Sequence, residues 1–350
     1  MSEPSYCTRE AIKSTLDVAE TARTNSQIDR VRAQATDSVD GLLYRGRLGF
    51  SLTDATRYFP WPELDSGGSW RLYLEQNGLV ALTALVAGGV TIPTSSVYLE
   101  PINDGPPYAR LELVRNLNVS FGGGPTPQRQ IAITGTWGFR DDREPAGTLS
   151  GAINSATTAI ALSSGAVAGV GDLLVCDSER LVVTGRAWVS TGSTLGGSGL
   201  TASNAGASLT GPTVAVGEEL LVDSEMMLVV DVAGSTTVVR RAWDGSTLAL
   251  HANGATVYAN RGYVVARGAQ GTVAASHADA AAVDVHRPPA LIRELALAEA
   301  ISTLLQSQAG YARSIRTGQE SSKEVIGRGL QDLRERAASR YGRNVKIGAV

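Results

Sequence analysis

Two short acidic motifs, Asp177-Ser178-Glu179 and Asp223-Ser224-Glu225, are the first candidates for chemistry in this 350-residue chain. They close matching runs, Val170 to Glu179 and Val216 to Glu225, set 46 residues apart. Carboxylates so spaced suit a hard cation such as Ca²⁺, but that ion takes roughly six to eight oxygen ligands. Two carboxylates per motif, flanked by strand-forming residues, read better as polar turns. A second echo has an offset of 26. Arg241-Ala242-Trp243-Asp244-Gly245 leads to His251 and Val257, and Arg267-Gly268-Ala269-Gln270-Gly271 leads to His277 and Val283. Histidines at equivalent positions are either a proton-transfer pair or a turn-packing residue copied by duplication. Their small neighbours favour the second. His286, just before Arg287-Pro288-Pro289, is expected at a domain junction. No Ser or Cys stands in a nucleophile-elbow context. Gly122-Gly123-Gly124-Pro125 lacks the Lys-Ser/Thr of a phosphate loop. Cys7 and Cys176 lie far apart without a CxxC, which excludes a disulfide framework and a zinc module. The expectation is no enzyme activity, no metal and no cofactor.

The chain carries a net charge of −3, too acidic as a whole for a nucleic-acid binder. Its end differs. From Ala312 to Val350 nine Lys/Arg face four Asp/Glu, a net of +5. Leu330, Leu333 and Ala337 run as an apolar stripe through the same segment. Phosphate binding needs charge alone, whereas a helix lying in a protein groove needs both charge and stripe. The third alternative is a solvated helix face, since the arginines do not align on one stripe; on the docking reading Leu330, Leu333, Arg334, Arg336, Arg340, Arg343 and Lys346 are the candidate residues.

Those residues need a scaffold. Thr24 with Gln27 is a capping-box pattern, and Ile28, Val31, Ala35, Val39 and Leu43 follow at helical spacing toward Gly41 and Gly46. A shorter helix opened by Thr8 carries Ile12 and Leu16. After Pro288-Pro289, Leu291, Leu295, Ala298 and Leu305 predict another helix. Gly310 to Gly318 reads as a loop, and Ser321 with Glu324 as a second capping box opening the last helix. Between the ends, alternation predicts strands at Trp70–Leu74, Val80–Val86, Val90–Ile92, Val97–Leu99, Ala109–Val114 and Gln130–Phe139. Asn77-Gly78 is a hairpin signal, and Asp141 to Pro145 ends this block. Residues 148–286 hold six Arg and no Lys against eleven acids, a net of −5, together with the repeats. Repeats of this length are duplicated supersecondary units. The reading is α+β: a helical base built from both chain ends, a discontinuous core of 1–147 and 287–350, and an all-β insert at 148–286. The apolar run from Gly78 to Ile92 is too short to span a bilayer.

Several motifs in this order are similar to a known family. They are Tyr6-Cys7-Thr8-Arg9-Glu10, Arg57-Tyr58-Phe59-Pro60-Trp61-Pro62, Tyr98-Leu99-Glu100-Pro101 with Gly105-Pro106-Pro107-Tyr108, Thr134-Gly135-Thr136-Trp137-Gly138-Phe139, Gly327-Arg328-Gly329-Leu330 and Tyr341-Gly342-Arg343. Together they resemble the head-to-tail adaptor (connector) proteins of long-tailed bacteriophages, in the form seen in phages of actinobacteria. The resemblance implies a connector-like fold and a structural virion protein of the neck, assembled in the host cytoplasm. It implies a ring of about 12 subunits docked under the portal protein, extending the DNA tunnel toward a head-closure or tail protein. Genomic DNA passes through such a lumen without sequence-specific binding, and no membrane is involved. The C-terminal residues named above are then the portal-docking part. The competing reading is a β-rich carbohydrate- or host-surface-binding virion protein, favoured only by the insert.

Overall fold

The computed structural model describes residues 3–16, 25–61, 70–74, 78–122, 124–203, 206–210, 213–308, 314–317, 321–324 and 328–342. Strands account for 37% and helices for 21%, with four helices among the described residues. This overturns the α+β reading with a helical base built from both ends. The body is antiparallel sheet, and the helices are the smaller part. An 18-residue amphipathic period stands out in a sequence, whereas alternating runs show that strands exist but not how they join into sheets, because their pairing is non-local.

Four helices share one apolar cluster. α1 (Arg9–Thr15) starts where the Thr8 hydroxyl accepts from the Ala11 N–H, as expected. α2 (Asn25–Leu42) buries Ile28, Val31, Ala35 and Val39. The Thr24 cap lies outside the described residues. α3 (Ala290–Gln308) adds Ile292, Leu295 and Ala300, and α4 (Arg328–Tyr341) adds Ala337. Among the described residues no helix is long and apolar enough to cross a membrane.

Two small sheets follow. One has the order β1-β7-β3-β4, formed by Thr53–Phe59, Ile131–Trp137, Leu79–Ala87 and Val90–Ile92. The other, β2-β6-β5, is formed by Arg71–Tyr73, Arg110–Leu113 and Val97–Glu100. They close over Leu72, Leu85, Leu111, Ile133 and Trp137. Among the described residues β2 pairs with β6 and not with β3; Asn77 of the expected Asn77-Gly78 turn lies outside the described residues. Gly135 fits because a Cβ there would lie 2.2 Å from the Ala81 carbonyl oxygen.

The remaining large sheet has ten strands. Along its path these are β12 (Gly206–Thr210), β15 (Thr236–Arg240), β14 (Glu225–Ala233), β13 (Glu219–Val222), β16 (Thr256–Ala266), β11 (Glu179–Thr194), β10 (Leu173–Cys176), β17 (Ala282–His286) and β8 (Arg143–Thr148), with β9 (Ala159–Ala161) on β16. Arg143, Glu144 and Pro145, expected to end the preceding block, open β8 of the large sheet; Pro145 is tolerated because β8 is an edge strand. Ser314–Thr317 (β18) pairs with Ser321–Glu324 (β19), replacing the expected loop and second capping box.

The two repeat offsets have one cause. Glu179 and Arg267 are 88 residues apart, and Glu225 and Arg241 are 16 apart. The difference of 72 equals the offsets of 46 and 26 taken together. The second unit is therefore nested inside the hairpin β11–β16 of the first. The outer unit spans about 149–194 and 256–287, and the inner unit fills 195–255 and borrows the start of β16. Pairings match position by position: Leu174↔Val285 and Cys176↔Val283 outside, Leu220↔Ala259 and Val222↔Val257 inside. Each unit has its own core. Leu149, Leu174, Leu181 and Val183 line the outer one, and their counterparts Leu195, Leu220, Met227 and Val229 the inner one.

Candidate functional site

Each acidic motif is a two-residue turn. Asp177 and Asp223 take φ of 51° in both, a left-handed conformation that Asp tolerates. The turn delivers Glu179 and Glu225 to the interior, where neither carboxylate is exposed. Arg267 Nε and Nη2 donate to Glu179 at 2.8 and 2.7 Å. The Gly268 and Ala275 amides donate at 2.9 Å each, and His277 Nε2 lies 2.8 Å away. The inner unit repeats this with Arg241 Nε and Nη2 at 3.0 and 2.6 Å, the Ala242 and Ala249 amides at 3.0 and 2.9 Å, and His251 Nε2 at 2.8 Å. The other ring nitrogen faces Asp177 Oδ2 or Asp223 Oδ2, each at 2.7 Å.

Burial alone raises the pKa of each glutamate. The bidentate arginine, the two amides and the histidine outweigh it and hold both Glu179 and Glu225 at about 2. Five donors fill the two oxygens, so neither glutamate has a lone pair to offer a cation. That removes the Ca²⁺ reading of the motifs. Each imidazole lies between two carboxylates with both nitrogens engaged, so neither nitrogen is presented to a substrate. Cys176, Asp177 and His277 place one potential ligand atom each within 4.8 Å of one another. The inner unit builds the same Asp–His geometry with Val222 in place of Cys176. The turn, not a metal, explains the arrangement.

A second node recurs as well. Arg261 Nε and Nη2 donate to Glu218 at 2.7 and 2.8 Å, and Arg287 Nη1 donates to Asp172 at 3.2 Å. Arg261 and Arg287 obey the offset of 26, a signal present in the sequence but not read there. His286 ends β17 in the interior, with its Nε2 2.9 Å from the Arg140 carbonyl oxygen. Burial lowers its affinity for a proton, partly offset by that carbonyl.

The segment Ser5–Glu10 joins the helices to the outer unit. The Ser5 amide donates to the Gly171 carbonyl at 2.9 Å, the Arg9 amide to that of Val170 at 3.2 Å, and the Val170 amide to Glu10 Oε2 at 2.8 Å. The Tyr6 hydroxyl donates to Asp40 Oδ1 at 2.6 Å and accepts from the Phe50 amide at 3.1 Å. Burial pushes Asp40 up to about 6 against the hydrogen bonds from Tyr6 and the Leu48 and Gly49 amides. Phe50 packs on Tyr6, Phe139 and Tyr341 at centroid distances of 5.6, 5.4 and 5.9 Å. Arg45 lies over the rings of Phe50 and Phe139 at 4.7 and 4.9 Å.

The candidate docking residues separate by environment. Leu330 and Leu333 pack, half-buried, against the helical cluster. Arg334 forms a bidentate pair with Glu299 of α3 at 2.6 and 2.9 Å. Arg336 and Arg340 are exposed. Arg343 and Lys346 lie outside the described residues. Comparison of the chain with protein-family models, with curated proteins and with solved structures finds no match.

Proposed function

We propose that this chain is a structural protein of the phage neck, a head-to-tail adaptor that forms a ring beneath the portal and lines the passage for DNA. One observation carries the reading. Motifs lying far apart in the sequence, around Tyr6, Phe139 and Tyr341, meet on Phe50 in one interior aromatic cluster. The residues that carry the family resemblance are thus spent on holding the chain's start, middle and end together, as suits a subunit under mechanical load. The conspicuous Glu, His and Arg groups serve the same end. Portal contact falls to the outward side of α4, through Arg336 and Arg340, because Leu330, Leu333 and Arg334 face inward. Glycan binding draws little support from the insert, where Trp243 and Tyr263 are interior, Trp188 is half-buried and Tyr258 is the exposed ring among them.

The test is cryo-electron microscopy of the purified chain alone and mixed with portal rings. Rings of about 12 copies seated on the portal are expected. Monomers that leave the portal bare, at micromolar concentrations of both, overturn the reading.

A further inference from the structure

The nested duplication supplies an internal control for every surface of the insert. In the outer unit the loop Gly169–Asp172 is covered. Val170 is 1% exposed, and its amide and carbonyl, with the Gly171 carbonyl, bond to Glu10, Arg9 and Ser5. A Cβ on Gly171 would meet Arg32 Nη1 at 2.0 Å and Ser5 Oγ at 2.3 Å.

The inner unit builds the same loop. The Ala215 amide donates to Glu218 Oε2 at 2.9 Å, as the Gly169 amide does to Asp172 Oδ2 at 2.9 Å. The Gly217 amide donates to the Val229 carbonyl at 2.9 Å, as Gly171 does to Val183 at 2.9 Å. Yet Val216 is 55% exposed. Its amide and carbonyl and the Gly217 carbonyl have no partner among the described residues. Gly217 keeps a positive φ of 89°, but a Cβ there would come no closer than 3.8 Å to anything. Beside it lies a crevice of about 340 Å³, walled also by Ser14 and Trp243.

We propose that the Val216–Gly217 loop is a docking site for a polypeptide segment of another protein. The segment has the chemistry of Ser5–Glu10: an extended stretch entering a helix, with a carboxylate in its first turn. Its amides bond the carbonyls of Val216 and Gly217, its carboxylate accepts from the Val216 amide, and an apolar side chain covers Val216. In the outer unit the charge of Arg186 favours the ionised Glu10; the inner unit has Val232 at that place, so the carboxylate is held by that amide alone and binding is weaker than the internal contact. This site stands whether or not the protein is an adaptor.

The experiment uses the full chain and a synthetic peptide of its own residues 3–16, followed by fluorescence anisotropy and amide chemical shifts. Saturable binding with shifts at Ala215–Glu218 is expected. Val216→Asp, an exposed position whose folding circular dichroism verifies, is expected to weaken binding at least about tenfold. Glu10→Gln in the peptide is expected to weaken it about threefold. No binding at millimolar peptide overturns the site. Binding that survives Val216→Asp places the peptide in the outer loop by exchange and also overturns it. Self-association of the chain that the peptide competes away and Val216→Asp abolishes gives the loop to a second copy and overturns the assignment to another protein.

Discussion

The outer and inner units of the insert have the same turns, the same strand pairing and the same Glu–Arg–His node, yet they sit differently in the molecule. The outer unit is built into its surroundings. Ser5–Glu10 bonds to its Val170 loop, and Arg180 pairs with Asp54 at 2.9 Å while Leu173 and Val182 pack on Leu52. The inner unit meets the helices through Lys13 and Asp244 at 2.5 Å and meets its host through Gly165 and Glu218 at 2.6 Å. The shared features are those that each unit needs in order to fold. The features that differ report which surface the rest of the chain uses.

That contrast makes predictions of decreasing size. Glu179→Ala leaves Arg267 and His277 buried without their carboxylate, a loss of about 3–5 kcal/mol. Because the inner unit hangs from the outer hairpin, hydrogen-exchange protection is expected to fall in both units. Glu225→Ala is expected to cost as much locally but to leave the outer unit protected. Equal loss everywhere would contradict the nesting.

Acid is expected to act on both nodes together. Glu179 and Glu225 have values near 2 when folded and an ordinary 4.5 when unfolded. Their contribution is complete above pH 4.5 and is lost as the pH falls toward 2. It is on the order of 3 kcal/mol for each node. Denaturant unfolding of wild type against Glu179→Gln and Glu225→Gln across that range measures it; parallel pH curves for wild type and both variants would remove the nodes as its source.

Excising Leu195 to Ala255 and closing Thr194 to Thr256 with Gly-Ser restores the simple hairpin that β14 and β15 already form in the inner unit. The remainder is expected to unfold cooperatively with a loss of a few kcal/mol, about 1–3 from the Lys13 and Gly165 contacts and the rest from Arg261 and Asn260, which lose Glu218 and Glu219. Circular dichroism with thermal melting checks this, and a non-cooperative melt would show that the outer unit depends on its guest. The smallest effect belongs to Val216→Asp, within about 0.5 kcal/mol by denaturant titration, against several for Val170→Asp at the equivalent buried position.

The sequence by itself determined the local elements. Thr8 capped its helix, Ile28 to Val39 set one buried face, and the repeated Asp-Ser-Glu and His marked two copies of one unit, because caps, periods and turns depend on neighbours a few residues away. It also put the basic residues of α4 on one short segment. Which of them face outward was decided by α3, where Glu299 takes Arg334. The mainly β character, the pairing of β2 with β6 and the place of Pro145 in an edge strand were settled by pairings between residues far apart in the chain. So was the nesting: offsets of 46 and 26 look like two unrelated repeats until Glu179 is seen to close on Arg267 across 88 residues. A buried carboxylate must find its donors wherever the fold brings them, and the sequence does not say how far along the chain they lie.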